Sequence, residues 1–148
     1  MSDFYVEFEV ASEDRYRRLD AVVSALAAAK RDDDFRDDAY WLAFFDDEAR
    51  SRFWWPTEAE LQEWSRCWQA APVDVRTSDP SFLPPAWDFG SMIDAFRNGD
   101  YELLGCRRAS PRVGRLAFEP FGFPYGGTGC MRALIEAFGH RVTADAAA

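Results

Sequence analysis

Apolar and polar positions alternate at the start of the chain, where Phe4, Val6, Phe8 and Val10 are separated by Tyr5, Glu7 and Glu9. A period of two sends one set to a core and the other to water, so the pattern predicts a half-buried strand. The period then changes. Tyr16, Leu19, Val23 and Leu26 recur at helical spacing. Ser12 can cap that helix, and Glu13 and Asp14 give it an acidic first turn that complements the helix dipole. The spacing carries it to about Lys30.

The acidic run 31–38 interrupts the periodicity and reads as a solvated loop. Residues 40–45 (YWLAFF) are apolar on both faces, as expected of a central strand. With a turn at 46–49 and a second strand over 50–55, they predict a β-hairpin ended by Pro56. Thr57 and Glu60 form a capping-box pattern for a helix carrying Leu61, Trp64 and Trp68 on one face. Val73 and Val75 alternate with Asp74 and Arg76, predicting a short strand.

Residues 77–88 hold three prolines and read as a connecting loop. Asp88 can cap a short helix that buries Met92, Ile93 and Phe96 and stops at Asn98-Gly99. Residues 101–109 and 113–119 flank Ser110-Pro111-Arg112 as a second hairpin. A Pro- and Gly-rich segment, FGFPYGGTG, precedes a helix with Met131, Leu134, Ile135 and Phe138 inward and Gly139 at its end. A short strand over 140–143 and a fraying tail close the chain.

The order β-α-β-β-α-β, then α-β-β-α-β, predicts an α+β fold, an antiparallel sheet with helices on one face. Its first part is the ferredoxin-like order. Laying 40–75 beside 101–142 suggests an internal duplication: each starts with Tyr, reaches Pro at the hairpin's end, and places Thr at a helix start. The expected organisation is one domain over 1–148, with pseudo-repeat halves 1–77 and 88–143 joined by the Pro-rich loop 77–88. A chain of 148 residues is long enough to bury a core of its own.

Charge changes the picture more than length does. The net charge is −9, but residues 1–98 carry 11 basic and 21 acidic side chains, whereas 99–148 carry 6 and 5. An acidic chain lacks the concentrated basic face that nucleic acid or an anionic membrane needs, so neither partner is expected. Three cysteines without C-x-x-C spacing support neither a disulfide framework nor zinc. The chain opens without a signal-peptide pattern, which predicts a cytoplasmic protein.

Chemistry is sparse, and no motif is specific to a family. Gly126-Gly127-Thr128-Gly129 lies between a strand and a helix, where free N–H groups attract phosphate or carboxylate. It lacks the G-K-[ST] of a P-loop. Tyr125 precedes it and Cys130 follows in the helix's first turn. If the second hairpin pairs across its turn, Arg107 and Arg115 face one another and could complete an anion pocket. His140, the single histidine, stands at the far end of the same helix, out of reach of Cys130. The aspartate runs match no EF-hand spacing. No metal, cofactor or catalytic residue is therefore assigned, and whether the chain is an enzyme stays open. Trp54 and Trp55 must face opposite sides of a strand, so one of them, with Trp87, is a candidate interface residue. The leading expectation is a non-catalytic binding or protein-interaction module, a homodimer. The alternative is a binder or enzyme for a small anionic ligand at the Gly-rich loop and hairpin arginines.

Overall fold

The computed structural model describes residues 4–53, 58–72, 87–122 and 125–145. In chain order the elements are β1 (Phe4–Glu9), α1 (Glu13–Asp32), α2 (Asp38–Leu42), α3 (Asp47–Arg50), α4 (Glu58–Ala70), α5 (Phe89–Asn98), β2 (Tyr101–Ser110), β3 (Val113–Pro120), α6 (Gly129–Ala137) and β4 (Arg141–Asp145). The four strands form one antiparallel sheet in the order β2-β3-β1-β4. The fold is α+β.

The alternation seen at the N-terminus makes β1 a central strand. Val6 and Phe8 pair with Leu116 and Gly114 of β3, while Phe8 also faces Val142 of β4. Val6, Phe8, Leu103, Leu116 and Phe118 are fully or almost fully buried in one cluster with Leu19, Val22, Val23 and Leu26 of α1 and Met131, Leu134 and Ile135 of α6. The intervening positions, Tyr5, Glu7 and Arg115 among them, point to the other face. There, Arg115 Nε donates to Glu7 Oε1 at 3.0 Å and Arg141 Nη2 to Glu9 Oε2 at 3.0 Å.

The caps behave as their chemistry requires. Ser12 Oγ accepts from Arg15 N–H at 3.2 Å, and Asp88 Oδ2 accepts from Ser91 N–H at 3.0 Å. Helix α1 runs past Lys30 to Asp32 and ends on Asp33, whose φ of 49° is left-handed.

The first hairpin expected over 40–55 does not form. Residues Asp38–Leu42 and Asp47–Arg50 are the short helices α2 and α3. The aspartates taken for loop residues are their caps: Asp37 Oδ1 accepts from Tyr40 N–H at 3.0 Å and Asp46 Oδ1 from Ala49 N–H at 2.9 Å. The apolar run between them supplies helical contacts. Trp41 and Phe45, four residues apart, are both buried. Phe45 meets Phe89 of α5 at 5.0 Å between ring centroids and Phe138 beyond α6 at 5.1 Å. The segment 38–53 thus holds two short helices where its proposed counterpart 101–110 and 113–120 is a hairpin, so the two units do not correspond among the described residues. The strand expected over 73–75, the capping box at Thr57 and most of the loop 77–88 lie outside the described residues. No helix among the described residues is long and apolar enough to cross a membrane.

Candidate functional site

The residues singled out around the Gly-rich loop are placed at opposite ends of the second hairpin. Arg107 and Arg115 are cross-strand partners in the β2–β3 register. Arg115, however, is taken by Glu7 and lies 4.3 Å over the Tyr5 ring, on the sheet face away from Leu116 and Phe118. The Gly-rich loop is tied to the base of the hairpin instead, since Asp100 N–H donates to the Tyr125 carbonyl at 2.9 Å. Six residues of extended strand, roughly 20 Å, separate Tyr101 from Arg107. The arginines and the loop do not converge.

The loop itself has the backbone that glycine allows, with φ of 103° at Gly126 and 81° at Gly127. Thr128 makes no side-chain cap. Its hydroxyl donates to the Asp145 carboxylate on β4, which places a negative charge of the protein's own beside the start of α6. Gly129 packs close to Trp87, because a Cβ there would sit 3.1 Å from Trp87 Cζ2. Trp87 is half-buried, so this interface candidate is spent partly on α6. Trp54 and Trp55 lie outside the described residues.

Cys130 is buried, with Sγ 3.6 Å from the Tyr101 hydroxyl. Burial pushes its thiol up, and this outweighs the downward pull of Tyr101 and the helix-start N–H groups. A thiol in this state is a poor nucleophile. His140 is 4% exposed, and its Nδ1 accepts from Ala11 N–H at 3.0 Å. Burial holds its pKa below the usual imidazole value, and the neighbouring Arg15 and Arg108 charges act in the same direction. Among the described residues, no group of three or more His, Cys, Asp or Glu could hold a metal ion.

A well-formed concavity lies elsewhere. A half-open cleft of about 590 Å³ is formed where the ends of α1 and α5 meet the start of β2 and the end of β3. Lys30 builds its floor. Its Nζ donates to the carbonyls of Phe96 at 2.7 Å and Gly99 at 2.9 Å and lies 4.3 Å over the Tyr101 ring. These bonds satisfy carbonyls that the end of α5 would otherwise leave open. Burial lowers the Lys30 pKa, while Cys130 and Asp100 pull the other way.

One step along each helix, Arg31 and Arg97 also line the cleft. Neither guanidinium has an ion-pair or hydrogen-bond partner among the described residues. Phe35, Tyr101 and Phe121 supply flat apolar walls, and Phe121 is 68% exposed at the rim. Asp33 and Glu102 complete the lining. None of these residues was singled out for binding by sequence. They come from positions 30 to 121 and form no motif, and the lone signal was FGFPYGGTG, whose first residue is Phe121. A cleft of this size with aromatic walls and a few charged groups has the dimensions of a small-molecule site.

No protein-family model, curated protein or solved structure matches this chain.

Proposed function

We propose that this chain is a small-molecule-binding protein that takes an anionic ligand, with a flat apolar part, in the cleft between α1, α5 and the base of the β2–β3 hairpin. The observation that carries it is the pair of unpartnered arginines, Arg31 and Arg97, in one concavity walled by Phe35, Tyr101 and Phe121. Each arginine sits in the last turn of its helix, where the dipole already favours a cation. The helix end alone does not account for two of them in one cavity while Lys30 binds the open carbonyls. A carboxylate or phosphate would be held bidentately by either guanidinium. Among the described residues the cleft holds no nucleophile paired with a base, so binding rather than catalysis is proposed.

Calorimetry and thermal shift against small carboxylic acids and phosphates test this. Ligand at a hundred times its Kd stabilises by ~2.7 kcal/mol. For a chain of this size that is a rise of roughly 5–10 °C in Tm. Arg31→Ala with Arg97→Ala should abolish the shift without unfolding the protein. No shift with any anion at millimolar concentration would sink the proposal.

The sheet order, read β4-β1-β3-β2, supports assigning the chain to the ferredoxin-like arrangement once rather than twice, with α2 to α5 inserted between the first helix and the second strand. The homodimeric, protein-binding role, expected from the charge asymmetry, the aromatic excess and the lack of a catalytic constellation, keeps Trp54, Trp55 and Trp87 as its interface candidates. Light scattering would test it, with a strict monomer at high micromolar concentration counting against it.

A further inference from the structure

We infer that the ligand of this cleft is a zwitterion, an α-amino acid with an apolar side chain, rather than a simple anion; this rests on the cleft being the binding site. The lining carries unpartnered charge of both signs. Asp33 and Glu102, like Arg31 and Arg97, have no ion pair or side-chain hydrogen bond among the described residues. Elsewhere some such groups pair, Arg108 with Glu13 at 2.7 Å, Arg115 with Glu7 at 3.0 Å and Arg141 with Glu9 at 3.0 Å, while others, Arg17 and Arg107 among them, stand alone among the described residues as these four do. Four charges that border one cavity without meeting leave room for a molecule that carries both complements.

Two further features point to a cation-accepting end. Asp33 ends α1 at φ 49°, a conformation that glycine adopts without strain and that is otherwise reached by no non-glycine residue described here. The chain ends α6 on glycine at φ 86° but ends α1 on an aspartate that lines the cleft. Glu102 stands directly across from Glu119 in the β2–β3 register. Like charges in that position repel, and an ammonium beside Glu102 would relieve them. A carboxylate on Arg31 or Arg97, an ammonium on Asp33 or Glu102, and a side chain against Phe35 and Phe121 use each wall of the cleft. Phosphate or a simple carboxylate would leave Asp33 and Glu102 unused.

The test is calorimetric titration of the intact protein with each of the twenty amino acids, and then with the deaminated and decarboxylated analogue of each one that binds. For phenylalanine these are 3-phenylpropanoate and 2-phenylethylamine. The expected result is binding of at least one apolar amino acid, weakened tenfold or more by loss of either charged group. Asp33→Gly should fold with a Tm at or above that of the parent, since glycine takes φ 49° freely, yet lose the preference for the amino acid over its deaminated analogue. Retained preference in Asp33→Gly and in Glu102→Gln together would overturn the assignment of the acidic end. Equal affinity for amino acid and deaminated analogue would overturn the zwitterion and leave the anion site standing. Absence of binding by amino acids, carboxylates and phosphates alike would overturn both.

Discussion

Replacing Lys30 by methionine keeps the aliphatic stem and removes only the ammonium, so it isolates what that charge does beneath the cleft. Three contacts are lost: the bonds to the Phe96 and Gly99 carbonyls, at 2.7 and 2.9 Å, and the contact with the Tyr101 ring. A hydrogen bond from a charged donor contributes ~1.5–3 kcal/mol net, and a cation over a ring ~0.5–2 kcal/mol. Against this, the ammonium is half-buried and its desolvation cost vanishes with it, which is why its pKa is lowered. The cleft is open to water, so the two carbonyls regain solvent partners in part. The balance is a loss of about 2–3 kcal/mol.

Urea denaturation followed by tryptophan fluorescence reads this directly, as a lower midpoint at unchanged slope. Native-state hydrogen exchange adds the location. The amide of Gly99, which donates to the Ala95 carbonyl, should lose protection first, because Lys30 is what fixes the end of α5. A loss below ~0.5 kcal/mol would show that water serves those carbonyls as well as Lys30 does. A full loss with unchanged protection at Gly99 would place the effect elsewhere and refute the capping role.

Three other outcomes follow from the same geometry. His140 is kept neutral by burial and by Arg15 and Arg108, and its Nδ1 already accepts the Ala11 amide. The unfolded chain therefore binds the extra proton as pH falls below about 6.5. Stability should be flat above that value and decline below it, by at most ~1.4 kcal/mol per pH unit, with the slope removed in His140→Gln. A urea midpoint constant from pH 8 to pH 5.5 would contradict this. Asp46, held low by its bond to Arg15 and the Ala49 amide, adds a separate loss as pH falls through the ordinary carboxylate range and below it. Of the three thiols, exposed Cys67 should react first with a disulfide reagent, partly exposed Cys106, pushed up by burial, more slowly, and buried Cys130 only on unfolding; rapid labelling of Cys130 in the folded protein would refute its placement. Gly114→Ala puts a Cβ 2.6 Å from Phe8 Cζ, and Phe8 is fully buried and cannot retreat. A cost of ~1–3 kcal/mol is expected by denaturation, and a neutral result would mean that β3 sits farther from Phe8.

The parts of the fold legible in sequence are those where period and punctuation agree. Phe4 to Glu9 alternate and become β1, and Ser12 and Asp88 each precede a helical spacing and accept the amide bonds expected of caps. Ser110-Pro111 lies between two runs that pair with Arg107 against Arg115. Residues 40–45 misled because six apolar residues in a row have no period and suit a buried strand or a buried helix turn equally. The deciding information stood on either side. Asp37 and Asp46 each lie three residues before an amide they bind, which is the cap pattern already credited to Ser12. Counting the aspartates as a charge run hid their individual geometry.

The cleft was beyond reach for a different reason. Its charged residues look ordinary in sequence: Arg31 and Asp33 belong to the acidic run, Arg97 ends a helix, and Glu102 occupies a wet strand position. What makes them a candidate site is that they remain unpartnered after folding, and pairing depends on the tertiary path. The net charge of residues 1–98 against 99–148 suggested looking for an anion among the hairpin arginines. In the fold Arg115 is neutralised by Glu7 from the opposite end of the chain, whereas Arg31 and Arg97, inside the acidic part, keep their charge free. Bulk charge describes which ions gather near the surface; it does not tell which side chains are left to bind one.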